Sequence, residues 1–377
     1  MLVMISRISN QERKRREIHQ LYYKIKDEKV LKQVLGIDVA QKELVVTLGR
    51  TLEDFTIELY AHKVFKNSDS GIRSLLEWVK KHTDNTINIR YVMEATGVYH
   101  QKIAYHLAEN DYEVSIILPN KISNYMRTLE NKTITDKTCS EAIAQFGLER
   151  KLDNWQRPKA VYRNLQQLSR ERDQIVSERS VVKNQLHAES SEAYPYQKSI
   201  ERLQDRIFFL NKQEKEIKQD IKEIVSENKD LEQEVRIMSS IPGVGELTAI
   251  IVLAETNGFE LIRSKKQLTS YAGLDVKEKQ SGTSVKGKPK ISKKGNRSLR
   301  KAMYLPALSA VKWDERFKAI YARIVGRNGI KMKGLVAVQR KLLEMMYILF
   351  KNKNTYDTHY LEKENSVQIQ DQYAITG

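Results

Sequence analysis

A hydrophobic repeat near the middle of the chain constrains its fold more than any other feature. Leu203, Ile207, Leu210, Ile217, Ile221, Ile224, Leu231, Val235 and Met238 recur at alternating three- and four-residue steps, with Glu214 and Asn228 in the two gaps of that register. A helix gathers such positions into one apolar seam, and the seam needs a partner helix to cover it. An earlier stretch repeats the pattern with Leu165, Leu168, Ile175, Val182 and Leu186. Between them, HAESSEAYPYQ with Pro195 interrupts the helical pattern. Residues 159–238 are therefore predicted to be coiled-coil helices folded back as a hairpin, although the same seam would serve for pairing with another subunit. No chemistry is evident in it.

The repeat divides the chain. On its N-terminal side, LGIDVA and ELVVTLG predict two strands joined by a tight turn at Gln41 and Lys42, and DFTIELYAHKVF alternates with period two as a third. SDSGIRSLLEWVKKH reads as a helix with Ile72, Leu75, Leu76 and Val79 on one face. INIRYVMEATG is a strand, VYHQKIAYHLAEN a helix, and EVSIILP a short strand stopped by Pro119. The order β-β-β-α-β-α-β predicts a mixed α/β domain over residues 33–158. Beyond the repeat, residues 239–350 read as mostly helical. Residues 1–32 are charged and helical in character, an N-terminal arm, and residues 351–377 are polar and aperiodic, a flexible tail.

Charge narrows the partners. The 377 residues carry 65 Lys and Arg against 48 Asp and Glu, a net charge of +17. Such an excess points to a polyanion, most commonly nucleic acid. A single cysteine, Cys139, excludes a disulfide framework and a Cys-rich zinc site, and fits a reducing cytoplasm. No stretch approaches 18 uninterrupted apolar residues, so no membrane partner is expected. The N-terminus turns charged after five residues, too soon for a signal peptide.

Asp38 sits inside an apolar β-run, where an unpaired ionised carboxylate costs several kcal/mol. It is not alone. Glu94 in RYVMEATGVY ends another apolar strand just before a glycine turn, and Asp136 in NKTITDKTCSEAIAQFG lies near the start of an amphipathic helix carrying Ile143, Ala144 and Phe146. Taken singly, each acid has an ordinary reading as a lysine's partner or a strand-end charge. Three carboxylates from two strands and a helix can converge in an α/β domain. Grouped in this way they repel and need a cation, and hard oxygen donors suit Mg²⁺ or Mn²⁺. Together, in a basic chain, they favour a metal-dependent phosphodiester site of the ribonuclease-H or RuvC type.

A second constellation follows the repeat. IPGVGELTA has the shape of a helix-hairpin-helix turn, in which Gly243 and Gly245 free backbone N–H groups to face a phosphate, although a plain helix-to-helix turn has the same shape. From Gly282 to Lys301 every charge is positive: Lys286, Lys288, Lys290, Lys293, Lys294, Arg297, Arg300 and Lys301. So dense a run repels itself unless a polyanion lies against it. The interleaved Gly282, Gly287 and Gly295 imply a loop that lies close to a backbone. Ser281 stands beside this run; local pattern alone reads it as a turn former.

The motifs GIDVA, MEATGVY, TDKTCSEAIA, IPGVGELTA, YAGL, QSG and KISKKGNRSLRKAMY occur in the order seen in one transposase family. The chain resembles the DEDD-type transposases of the insertion sequence 110 family, which include the Piv-type DNA invertases, over about residues 34–315. The resemblance implies a RuvC-like α/β domain, a coiled-coil segment and a mainly α-helical transposase domain. It also implies a tetrad of acids holding Mg²⁺, a serine nucleophile, and dimers assembling to a tetramer whose active sites combine domains of different subunits. Double-stranded donor and target DNA would be its substrates, a structured non-coding bridge RNA its guide, and the prokaryotic nucleoid its location. Residue by residue, the first three acids fall on Asp38, Glu94 and Asp136, and the serine on Ser281. The fourth acid falls on Cys139, and a thiol is a poor Mg²⁺ ligand. Glu141, two residues on, is turned about 200° away on a regular helix.

The reading is thus a DNA transposase or site-specific recombinase. A hydrolytic junction resolvase, with Ser281 merely structural, is one alternative. A nucleic-acid-binding protein whose acids have decayed, as Cys139 suggests, is the other.

Overall fold

In the computed structural model the described residues are 29–357, apart from 96, 130–132, 261, 278–279, 282–284 and 287–289. The predicted N-terminal arm up to residue 28, the tail beyond 357, and Lys288 lie outside them, as do the side chains of Ser281 and Lys286. The chain forms two compact units, Met1–Arg157 and Pro158–Gly377.

The first unit is built on a five-stranded sheet in the order β3-β2-β1-β4-β5. Its strands are β1 (Val30–Val39), β2 (Glu43–Leu52), β3 (Ile57–Lys66), β4 (Ile89–Glu94) and β5 (Glu113–Ile117). The first three run antiparallel as a meander, while β4 pairs parallel with β1 and β5 parallel with β4. Helices α1 (Asp69–His82), α2 (Gln101–Glu109), α3 (Pro119–Met126) and α4 (Asp136–Glu149) complete the unit. This is the RuvC-like ribonuclease-H arrangement. Both faces of β1 are covered, which is why its run is apolar rather than alternating. Leu35, Ile37 and Val39 join Ile72, Leu75 and Val79 of α1 and Ile103 and Leu107 of α2. Val34 joins Val92, Ile122 of α3 and Ile143 and Leu148 of α4.

Helix α3 departs from expectation. Pro119 does not only end the strand; it occupies the first turn of a helix, where its missing N–H is no loss.

Helix α4 lies directly on β1, and two glycines allow it. A β-carbon on Gly36 would stand 2.3 Å from both the Ser140 carbonyl oxygen and the Ala144 amide nitrogen. One on Gly147 would stand 2.8 Å from a methyl of Val34 and 2.9 Å from one of Val92. Between them, the buried Ser140 hydroxyl lies 2.8 Å from that of Thr47 on β2. Both ends of α4 are fixed. Thr135 caps the first turn by accepting from the Thr138 N–H, while the Thr138 hydroxyl accepts from the Thr135 N–H. At the other end the Lys32 ammonium donates to the carbonyls of Gly147, Leu148 and Arg150 at 2.6, 2.9 and 3.0 Å.

The second unit opens with the predicted hairpin, α5 (Ala160–Ser190) and α6 (Gln197–Ser226). Leu165, Ile175 and Val182 pack with Leu210, Ile217 and Ile221. Where the heptads run on through Asn228 the helix does not. It ends at Ser226, and the Asn228 side chain accepts from the Leu231 N–H to cap a new helix, α7 (Lys229–Ser239). The other gap, Glu214, is a buried carboxylate held by Arg172 and Lys218 at 2.8 and 2.9 Å and by Arg179. The hydrophobic cluster continues without a break into the remaining helices: α8 (Glu246–Thr256), α9 (Lys265–Tyr271), α10 (Arg297–Ala302), α11 (Tyr304–Trp313), α12 (Glu315–Asn328) and α13 (Lys331–Asn352). No helix among the described residues is long and apolar enough to cross a membrane.

Candidate active site and nucleic-acid interface

The fold brings the three predicted acids to one place. Asp38 lies near the end of β1, two residues from Gly36 and so on the face that α4 covers. Strands β1 and β4 pair in parallel up to Ile37 and Met93, so Asp38 and Glu94 come next on neighbouring strands. Asp136 is the first residue of α4, where the helix N-terminus favours a negative charge. The close approach at Gly36 therefore sets the distance between strand acids and helix acid.

Electrostatics register the convergence. Partial burial, then the charges of Asp136 and Glu94, push Asp38 up to about 6, against only a hydrogen bond from the Val39 backbone in the other direction. Burial also raises Glu94. Cys139, one turn after Asp136, is pushed up to about 11 by burial and by the charges of Asp38, Glu94 and Asp136, so its thiol is protonated at neutral pH. Among the described residues no three His, Cys, Asp or Glu side chains close into a metal cage. Asp38 is within electrostatic reach of both Glu94 and Asp136, and Cys139 of all three acids. Glu141 is no substitute for a fourth acid. The helix is regular there, and Glu141 lies 3.8 Å from the ammonium of Lys137 on another face. Cys139 holds the fourth position, its sulfur 4.0 Å from that of Met126.

Ser281 lies in the second unit, on a narrow ribbon. Val276 and Lys277 (β6) pair with Ile291 and Lys290 (β9), and farther out Gln280 and Ser281 (β7) pair with Lys286 and Val285 (β8). The ribbon springs from two segments that nearly touch. Gly273, at φ +67°, leaves no room for a side chain against Arg300 and the backbone of Lys293 and Lys294, and Gly295 none against the Tyr271 carbonyl. The Lys293 N–H donates to the Gly273 carbonyl at 3.1 Å and the Asn296 N–H to that of Tyr271 at 2.8 Å.

The basic run is not uniform. Lys290, Lys293, Lys294 and Arg297 are exposed. Arg300, in contrast, turns one guanidinium nitrogen onto the carbonyls of Ala272, Gly295 and Asn296, bracing the ribbon's root. Lys301 pairs with Asp173. The two glycines of IPGVGELTA also divide. Gly243 has φ +90° and packs where a β-carbon would lie 2.7 Å from the Ala310 amide, a close contact with α11, whereas Gly245 faces open space and caps α8.

One residue was missed from the sequence. Glu255, near the end of the apolar IIVLAET run, has a side chain with no solvent exposure. Arg170 grips it bidentately at 2.8 Å for each bond, and Asn296 and Gln166 donate to it at 2.7 and 3.2 Å. An acid inside an apolar run was the signal that singled out Asp38; at Glu255 it was equally visible.

Comparison with known proteins finds relatives along most of the chain. Residues 35–195 match a DEDD transposase family model of the IS110 type, and residues 235–322 match the transposase IS116/IS110/IS902 family. The chain is 26% identical to the pilin gene-inverting protein of Moraxella lacunata over 334 residues, 86% of this chain and 98% of that protein. It is 23% identical over 274 residues to the transposase for insertion sequence element IS1111A of Coxiella burnetii, covering 64% of this chain and 72% of that one. Among solved structures, Thermus thermophilus RuvC in complex with a Holliday junction substrate aligns with 33% of this chain and 99% of its own at 11% identity and a TM-score of 0.25, too low to argue from.

Proposed function

The chain belongs to the IS110 family of DEDD transposases, and from that premise we propose that it breaks and rejoins DNA through Ser281, with Asp38, Glu94 and Asp136 serving the same reaction. The observation that carries this reading is the register of β1 and β4, which sets Asp38 beside Glu94 on neighbouring strands, under the helix that opens at Asp136 and lies on Gly36. Structural carboxylates are placed beside cations; Asp38 is placed within reach of two other acids.

Carboxylate oxygens are the donors that a divalent cation of the Mg²⁺ or Mn²⁺ type prefers, and Asp38, Glu94 and Asp136 would hold it by drawing closer than they stand here, where they do not close into a cage. The protonated Cys139 would not. Such an ion, when bound, neutralises charge developing on a scissile phosphate. The Ser281 oxygen attacks the phosphorus, the bond from phosphorus to the 3′ oxygen breaks, and that oxygen leaves as a free 3′-OH. The result is a 5′-phosphoserine link. Reversal by a new 3′-OH rejoins the strand, and no external energy source is needed because the phosphoester is conserved.

The exposed Lys290, Lys293, Lys294 and Arg297 would lie along the phosphate backbone, with Lys286 and Lys288 of the same basic run adding to the contact. Donor and target DNA are the substrates in this reading, and a structured RNA is the guide. A dimer assembling to a tetramer would bring the acids of one subunit to the serine of another.

Two measurements test the proposal. RNA extracted from the purified protein should be one structured transcript from the DNA flanking its gene. Supplied with that RNA and with DNA, the protein should recombine in Mg²⁺ and stop when the metal is chelated. Recombination that persists after chelation rejects the acid site. The thiol at Cys139 supports a second reading, a nucleic-acid-binding protein without cleavage; it predicts tight binding and no strand breakage at any metal concentration.

A further inference from the structure

Both roots of the ribbon that carries Ser281 lead to one buried residue, one to its carboxylate and the other to its main-chain carbonyl. Glu255 of α8 accepts from the Asn296 side chain at 2.7 Å, and its main-chain carbonyl accepts from the Tyr271 hydroxyl at 2.9 Å. Tyr271 lies just before the ribbon's outgoing strand and Asn296 just after its returning one, and the two are joined directly by the Asn296 N–H to the Tyr271 carbonyl. Asn296 also caps α10 through the Leu299 N–H at 2.9 Å, so its side chain is fixed from two directions.

The carboxylate is in turn fixed from the coiled coil. Gln166, Arg170 and Asp173 recur at four- and three-residue steps and so share one face of α5. The first two bind Glu255 and the third binds Lys301 of α10. This face of α5 docks on α8 and α10 through polar, directional bonds, and a bidentate pair on a fully buried acid fixes its register.

We propose that Glu255, held by Arg170, is a positioning residue: it fixes the root of the ribbon to the coiled-coil helix and so sets where Ser281 meets the scissile phosphate. Resting in its second part on Ser281 as nucleophile, the proposal explains why a carboxylate stands inside an apolar helix. Its neighbours on α8, Val252, Leu253 and Ala254, are all buried hydrophobics.

The test compares wild type, Glu255→Gln, the double variant Glu255→Gln with Arg170→Gln, and Ser281→Ala in the full-length protein. The double variant removes both members of the ion pair, so that no buried charge is left alone if the single variant folds poorly. Two readouts are taken: hydrogen exchange of the amides of residues 271–277 and 290–296, and the single-turnover rate and position of DNA cleavage. The expected result is a loss of amide protection of about tenfold, nucleic-acid affinity within about twofold of wild type, and cleavage slowed roughly tenfold or more with scattered cut positions. Protection and cleavage both within about twofold of wild type in the double variant would overturn the proposal. So would a fall in affinity parallel to the fall in rate, which marks general unfolding. If Ser281→Ala still cleaves, the covalent reading fails while the exchange data still decide whether Glu255 holds the ribbon.

Discussion

Asp38 and Glu214 are both carboxylates set among apolar residues, and their surroundings are opposite. Burial tends to push each of them up. At Glu214 the bonds from Lys218 and Arg179 and the charge of Arg172 more than reverse this and hold it at about 2. At Asp38 the neighbours Asp136 and Glu94 add to it and leave it at about 6. One acid completes a polar cluster inside a coiled coil; at the other, neighbouring acids add to the effect of burial. Burial alone does not separate them. The sign of the neighbours does, and it is why the proposed chemistry is placed at the second and not at the first.

The largest expected effect breaks the comparison at its functional end. Asp38→Ala should lower recombination by at least about 10²–10³-fold while leaving the metal-free protein as stable as wild type, because it removes a repelling charge. Activity assays beside thermal melts check this, and wild-type recombination would reject the metal site.

Glu214→Ala should do the reverse. It leaves Arg172 and Arg179 facing each other in a buried seam and should cost about 2–3 kcal/mol, below the range for fully buried pairs because the cations are partly exposed. Chemical denaturation reads the loss, and activity per folded molecule should be unchanged. The pH dependences also oppose. The depressed acid Glu214 contributes stability that is complete above its ordinary value of 4.5 and disappears as pH falls towards about 2. The raised acid Asp38 destabilises the metal-free fold fully above about 6, and that cost is relieved as pH falls to its ordinary 3.8. Stability curves of Glu214→Gln and Asp38→Asn should therefore diverge from wild type in these separate windows.

Smaller effects sharpen the electrostatics. Lys293→Ala with Lys294→Ala should weaken nucleic-acid binding and lower the log–log salt slope by about 0.9 for each phosphate of duplex DNA that is no longer neutralised. An unchanged slope would mean that these lysines only face water. Smallest of all, Cys139→Asp should leave activity at or above wild type, since a carboxylate is a better Mg²⁺ ligand than a protonated thiol. A large drop in activity would show a site rebuilt around the thiol.

Much of this is legible in the residues alone. Asp38 and Glu94 stand out because a charge in an apolar strand is costly, and the hairpin because two heptad stretches flank a proline break, although the seam alone would equally suit another subunit. What escaped depends on tertiary contacts. The Gly36 and Gly147 contacts that lay α4 on β1 are single atoms of clearance, with no periodic signature. Asn228 fits a heptad gap as well as it fits a cap, and only the bond to the Leu231 N–H decides. Pro119 signals both the end of a strand and the start of a helix. Arg300 belongs by sequence to the basic run, yet its guanidinium serves three carbonyls at the ribbon's root. Charge pattern identifies a polyanion-binding segment without saying which of its cations are free to bind.

The most direct test of the covalent account is Ser281→Ala, run beside wild type and Asp38→Ala on end-labelled DNA in a denaturing gel. The change removes one oxygen and leaves the ribbon's lysines and glycines in place. The account predicts that binding persists while strand cleavage and the covalent protein–DNA adduct vanish together in both variants. Cleavage near the wild-type rate by Ser281→Ala, with Asp38→Ala inactive and no adduct in wild type, would contradict it and establish hydrolysis by water at the acid cluster.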